Sequence, residues 1–146
     1  MVRIIKNSMT QQEKDLLLKD LCARLPYGVW IERKLKSCKF GAKSMLHAHN
    51  ISAIERERYE FCKPYLFPLS SMTEEQKYDF YCRFIENDCD FDDFKELYLD
   101  NGMWHKLLTS LDDIEAIIDW FNKNHFDYRN LIGKNLAIDC TNLNIY

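Results

Sequence analysis

The spacing of the apolar residues changes twice along this chain, and this change constrains the fold more than any other feature of the sequence. In a first stretch, up to about residue 24, leucines such as Leu17 and Leu21 recur at helical spacing. Between residues 28 and 51 apolar and polar residues mostly alternate, which is typical of strands with one buried face. From residue 73 onward the helical spacing returns. The pattern predicts an α+β fold with a segregated sheet.

The first helix and the strands that follow it have recognisable limits. Thr10 and Glu13 form a capping box, and Leu25-Pro26 ends the helix, which predicts a helix over residues 10–25. A strand-rich module, barrel-like or a meander, is expected over residues 28–67. Its strands are expected from about residue 28 to 51.

Residues 52–62 fit two structures. Ser52 and Glu55 repeat the capping-box spacing of a helix, whereas Tyr59 and Phe61 alternate as in a strand. We expect a short strand that ends at Pro64, followed by an extended apolar connector.

The remaining sequence predicts three or four helices within an acidic part, residues 73–138. The first begins near Thr73, and a second piece is closed by Asn101-Gly102. A third begins at Ser110 with acidic residues in its first turn, and Asp127 is expected to be the N-cap of a final short helical turn. We expect residues 1–146 to form a single domain, because 146 residues with 20 aromatic side chains can bury one ordinary core.

Apolar runs, the first residues of the chain and the cysteines indicate where in the cell the protein is expected. No apolar run approaches the roughly 20 residues of a membrane span, so we expect no membrane association. The first residues turn polar too early for a secretory signal. The six cysteines are widely spaced and predict free thiols rather than disulfides. A cytoplasmic location is therefore expected.

Charge is distributed unequally between the two halves of the chain. Residues 1–71 carry a formal net charge of +6, and residues 72–146 carry −9. The stretch from residue 33 to 54 contains five basic residues and no acidic one. Two aromatic residues, Trp30 and Phe40, lie nearby. The predicted binding site comprises Trp30, Arg33, Lys34, Lys36, Lys39 and Lys43. Such a stretch can contact phosphates, but lysines also protect exposed strand edges from aggregation, and both interpretations remain open.

Three other groups of residues suggest chemistry without completing a motif. His47 and His49 would share a face of a strand and could hold a metal, yet two ligands are not a site. The acidic run around Asp90 begins like a calcium loop but lacks its glycine and its final glutamate, so helix capping explains it better. His105 and His125 have aromatic and charged neighbours but no recognisable nucleophile. We therefore predict no catalytic residue, no metal site and no cofactor.

Three segments of the chain resemble uncharacterised small proteins of Bacteroides-type gut bacteria and of their prophages and mobile elements. They are LLLKDLCARLPYG (residues 16–28), KPYLFPLSSMTEEQ (63–76) and FNKNHFDYRNLIGKNLAI (121–138). The resemblance implies an accessory protein of a mobile element and brings no activity with it.

These observations lead to one functional hypothesis and two alternatives. We expect a non-enzymatic binding protein whose basic strand module contacts nucleic acid or an acidic protein partner. The alternative from another class is a small metal-dependent or histidine-based hydrolase. Self-association, in which the acidic half of one copy meets the basic half of another, is a further alternative.

Overall fold

The computed structural model describes residues 9–100 and 113–146, and it has the α+β fold that the sequence predicts. The elements are α1 (Gln11–Arg24), β1 (Trp30–Leu35), β2 (Ala42–Met45), α2 (Ala48–Glu55), β3 (Tyr59–Pro68), α3 (Glu74–Phe84), α4 (Phe91–Phe94, continued by a wider helical segment over Lys95–Asp100), α5 (Ile114–Lys123), β4 (Phe126–Asp127) and β5 (Ile138–Asp139). Short 3-10 turns occupy Leu25–Tyr27 and Leu69–Ser71.

The chain divides into two compact units. The first unit comprises residues 1–66 and 129–146, and the second comprises residues 67–128. The expectation of a single domain stays a prediction. Among the described residues, no helix is both long enough and apolar enough to cross a membrane.

The first unit packs α1 and α2 together with a small sheet. Strand β1 pairs antiparallel with β2 and with β3, and β3 pairs in parallel with β5. Ile31 of β1 and Leu66 of β3 are fully buried with Leu21 of α1. Leu136 and Ala137, close to the C-terminus, join the same core.

Helix α1 begins and ends as the sequence predicts. The Thr10 hydroxyl accepts the Glu13 N–H at 3.1 Å, and the Glu13 carboxylate accepts the Thr10 N–H at 3.2 Å. Gly28 then takes a left-handed conformation with φ of 76°. Glycine adopts this conformation without a steric penalty, so the chain can turn directly into β1.

The predicted strand around residues 46–51 is wrong, because α2 begins at Ala48. The buried residues at this point are Leu46, Asn50 and Ile54, which recur every four residues. Asn50 and Ile54 lie within α2 and share one face of it, whereas Leu46 precedes the helix and donates its N–H to the Val29 carbonyl. Sequence inspection gave more weight to the alternation of His47 and His49. The capping-box match at Ser52 is also wrong as a helix start, since that residue lies inside α2.

Strand β3 extends four residues beyond the expected end at Pro64. Pro64 is the last residue of β3 that pairs with β1, and Tyr65 is the first that pairs with β5. Proline removes one backbone donor, and a point where the strand changes partners tolerates this loss. The expected connector is therefore part of a continuous strand.

The second unit has an aromatic core formed by α3, α4 and α5. Phe80 of α3 lies with its ring centroid 5.9 Å from that of Phe94 and 5.6 Å from that of Phe121. The last two residues of β3 pair in parallel with β4. The predicted helix closure at Asn101-Gly102 and the start at Ser110 lie outside the described residues.

Acidic and hydroxyl side chains cap the helices of the second unit. Thr73 and Gln76 form a capping box, and Asp90 accepts the Asp93 N–H at 2.8 Å. Asp113 accepts the Ala116 N–H at 3.1 Å. The capping interpretation of the acidic run is thus confirmed. Asp127, however, is buried in β4, and residues 128–132 form bends and turns rather than a helix, so the expected final helical turn is wrong.

Candidate nucleic-acid interface and lysine-lined groove

The six predicted binding residues all lie on the basic hairpin, which comprises β1, β2 and the loop of residues 36–41 between them. The pleat of β1 places them on different faces. Ile31 is fully buried, so Ile31 and Arg33 point to the core side of the sheet, and Trp30 and Lys34 point to the other side. The structure therefore does not bring all six side chains together.

Lys43 and Trp30 form a pair on the side of the sheet away from the core. The Nζ atom of Lys43 lies 5.8 Å from the centroid of the Trp30 ring. Trp30 is half-buried, and Lys43 is exposed. The pair combines a cation with an aromatic surface at one place on the sheet.

Lys39 and Phe40 form a second such pair in the hairpin loop. The Nζ atom of Lys39 lies 5.9 Å from the centroid of the Phe40 ring. The Phe40 side chain is 79% exposed, the highest value among the large hydrophobic residues described. An apolar ring with that exposure makes no contribution to the core, and its position next to a lysine suits a ligand with flat, apolar surfaces.

Arg33 and Lys34 are held by neighbours within the unit. The Nε of Arg33 donates to the Ser44 hydroxyl at 3.1 Å on the core side. Lys34 forms an ion pair with Glu60 of β3. The charges of Arg33 and Lys34 are therefore directed to partners within the unit.

A groove lies in the same unit as the hairpin. The groove has a volume of about 1160 Å³ and is bordered by α1, the end of α2, β3 and residues 134–136. Lys36 of the hairpin loop also borders it, together with three further lysines, Lys14, Lys63 and Lys134. These three lysines come from distant parts of the chain, and no binding motif surrounds any of them in the sequence. Sequence analysis missed them because only the fold brings them together.

Tyr146 bridges β1 and β3, the two central strands of the sheet, through its hydroxyl group. Its hydroxyl accepts the Trp30 backbone N–H at 3.0 Å and donates to the Tyr65 carbonyl at 2.9 Å. Burial and a hydrogen bond to Glu32 raise the pKa of the Tyr65 phenol to about 12. The phenol therefore stays protonated at neutral pH and donates to the Glu32 carboxylate. These bonds fix β1, which carries Trp30, against β3.

The histidines do not form the arrangement that the strand interpretation suggested. His47 precedes α2 and His49 lies in its first turn, with ring centroids 5.7 Å apart in a stacked arrangement. Among the described residues, no three histidine, cysteine, aspartate or glutamate side chains are grouped to hold a metal ion. His105 lies outside the described residues.

The cysteines are free thiols, as predicted. Cys62 and Cys140 are buried, and Cys22, Cys38 and Cys82 are exposed. Burial raises the pKa of Cys62 to about 12 and that of Cys140 to about 11, so both stay protonated at neutral pH. A buried thiol of this kind is a poor nucleophile.

Comparisons with known protein families, with curated proteins and with solved structures give no match in any of the three. The resemblance noted for three segments stays a prediction.

Proposed function

We propose that the basic hairpin binds single-stranded nucleic acid. The observation that carries this proposal is the presence of two lysine–aromatic pairs on the hairpin, Lys43 with the half-buried Trp30 and Lys39 with the exposed Phe40. In the described structure, neither lysine has a carboxylate within ion-pair distance. A single strand presents both phosphates and unstacked bases, and a cation beside an aromatic ring can contact one of each.

The aromatic component favours a single strand over the other polyanions. A duplex hides the faces of its bases, so Phe40 would gain no stacking from it. An acidic protein partner would use the lysines but offers few flat surfaces to the exposed ring. Both remain outcomes of the experiment below.

We also propose a cytoplasmic location and an accessory role for the protein. Free thiols are typical of the reducing cytoplasm, which supports a cytoplasmic location. The resemblance of three segments supports an accessory role in a phage or mobile element. In that role the protein would bind nucleic acid without a catalytic reaction.

The test measures fluorescence anisotropy of a labelled oligothymidine, a duplex DNA and a single-stranded RNA at 50 and 200 mM salt. We expect single strands to bind more tightly than the duplex, with affinity falling as salt rises because lysines displace counterions. Neutralising Lys36, Lys39 and Lys43 to Gln should weaken binding and reduce the salt slope by about 0.7 per lost phosphate contact.

Two variants separate the proposed contacts from general charge. Phe40→Ala should weaken binding to single strands about fivefold or more, since one base stack contributes roughly 1–3 kcal/mol. Lys77→Gln combined with Lys123→Gln removes positive charge from the second unit and should leave binding nearly unchanged. Absence of binding at 50 mM salt, equal binding of duplex, or a Phe40→Ala variant that binds normally would contradict the proposal. Tighter binding of an acidic polypeptide would favour a protein partner.

A further inference from the structure

The side of β1 that points away from the core carries one acidic residue among basic and aromatic neighbours. Glu32 lies between Trp30 and Lys34 on this side, because alternate residues of a strand point to the same face. Its cross-strand partners are Lys43 of β2 and Lys63 of β3. Directly paired residues project from the same face of a sheet, so two lysines flank Glu32.

The Glu32 carboxylate is held by one hydrogen bond and keeps a second oxygen available. The Tyr65 hydroxyl donates to Oε2 of Glu32. In the described part of the chain, Oε1 accepts no hydrogen bond, and neither Lys43 nor Lys63 forms an ion pair with the carboxylate. A Cβ atom at Gly41 would lie 3.1 Å from Oε1, so glycine leaves the space beside this oxygen open. The half-buried Glu32 thus presents an oriented acceptor.

An aromatic ring lies next to this acceptor. Trp30 precedes Glu32 by two residues, a separation of roughly 7 Å along a strand, and its side chain is half-buried. The Nζ atom of Lys43 lies 5.8 Å from the centroid of the same ring. A base that stacks on Trp30 can therefore direct one edge towards the Glu32 carboxylate while its phosphate contacts Lys43.

The nucleic-acid bases differ in what they offer to a carboxylate, which only accepts hydrogen bonds. Guanine has two adjacent donors on its Watson–Crick edge, N1–H and the N2 amino group. Adenine and cytosine have one amino donor beside a ring nitrogen that accepts. Thymine and uracil have one N–H between two carbonyl oxygens. The neighbouring acceptors of these four bases repel a carboxylate, so guanine suits it best.

We propose that Glu32 selects guanine at the position of the strand that stacks on Trp30. The guanine N1–H and N2 amino groups donate to the carboxylate, which Tyr65 holds in place. The inference rests on the proposed binding of single strands and adds a base preference to it. Lysines and aromatic rings alone would bind the different bases with similar affinity.

Fluorescence anisotropy with labelled oligothymidines tests the preference. Each probe carries one central nucleotide, which is deoxyguanosine, deoxyinosine, deoxyadenosine, deoxycytidine or thymidine. We expect the guanosine probe to bind about fivefold or more tightly than the thymidine probe, because a bidentate contact to a base discriminates by at least this factor. Inosine lacks the N2 amino group, so its probe should bind with intermediate affinity.

Two variants locate the contact. Glu32→Gln keeps an oxygen that can accept from Tyr65, so the fold should be retained, but its amide replaces one acceptor with a donor. We expect this variant to bind the guanosine and thymidine probes with similar affinity. Glu55→Gln is the matched control, since it removes the same negative charge from an exposed position in α2 and should keep the preference.

The outcomes separate this inference from the proposed function. Equal affinity for the guanosine and thymidine probes, or an unchanged preference in Glu32→Gln, would overturn the guanine contact and leave single-strand binding in place. Tighter binding of the adenosine or cytidine probe than of the guanosine probe would also overturn it. Absence of binding to every probe at 50 mM salt would contradict both proposals.

Discussion

At the scale of single residues, the most constrained group in the first unit is a buried cluster of charges. Asp20 and Arg24 of α1 are both 0% exposed, and the Arg24 Nε donates to the Asp20 carboxylate at 2.7 Å. The Nε of Arg129 lies 3.2 Å from the other oxygen of the same carboxylate. One carboxylate thus faces two guanidinium groups, which links the C-terminal segment of the unit to α1.

We expect Asp20→Asn to lower the free energy of unfolding by about 3 kcal/mol, because removal of one partner leaves a buried charge without its counterion. Urea denaturation monitored by circular dichroism measures the change. Asp15→Asn is the matched control on the same helix, since Asp15 is exposed and its contact is a bond from Gln11. The control should change stability by about 0.5 kcal/mol or less. Equal effects of the two substitutions would show that the cluster contributes little.

At the scale of elements, the second unit joins α3 to α5 through a polar contact at the edge of its aromatic core. The indole N–H of Trp120 donates to the Asp79 carboxylate at 2.8 Å, and Arg83 donates to the same group at 2.9 Å. The bond from Trp120 and then the contact with Arg83 lower the pKa of Asp79 below its ordinary value.

This lowered pKa makes stability depend on pH in a defined direction. The ionised form of Asp79 is favoured in the folded state, so its contribution is present above the unfolded pKa of about 3.9 and is lost as pH falls through the folded pKa. We expect Asp79→Asn to lose less stability than the wild type between pH 5 and pH 3. Denaturant unfolding across that range measures the difference, with Asp88→Asn, an exposed carboxylate of the same unit, as control.

A second measurement identifies the cause of the shift. In Trp120→Phe the indole donor is absent, and the pKa of Asp79 should rise, as read from its carboxyl carbon in an NMR titration. An unchanged titration would assign the shift to Arg83 instead.

At the scale of the whole molecule, the two units carry formal net charges of opposite sign. The first unit carries a formal charge of +7 and the second one of −10 over the full sequence. Opposite charges of this size on one chain favour contacts between the first unit of one copy and the second unit of another.

We expect reversible self-association at low salt. The sedimentation coefficient should fall between 20 and 500 mM salt, because the screening length shortens from more than ~10 Å below 0.1 M towards ~3 Å at 1 M. Neutralising Lys36, Lys39 and Lys43 to Gln should reduce the association at 20 mM salt. A single species at both salt concentrations would contradict this expectation.

The limits of sequence-based prediction are visible at particular residues. The starts of α1 and α3 follow from Thr10 and Thr73, because a helix cap depends on side chains within three residues of the backbone groups that they satisfy. The start of α2 was missed because His47 and His49 suit a strand as well as a helix. The exposure of Ala48, which would share the buried face of a strand with Leu46 and Asn50, argues against the strand, and burial depends on contacts with other elements.

The sequence by itself determined the α+β class, the caps of α1 and α3, the free thiols and the basic hairpin, since each depends on residues that are neighbours in the chain. Only the tertiary structure decided how the hairpin residues divide between the two faces of β1. It also decided that Lys63 donates a hydrogen bond to Asn135 beside a groove that four lysines border. The physical reason is that such sites are assembled from residues 70 or more positions apart in the chain, whose proximity arises from packing of the whole unit.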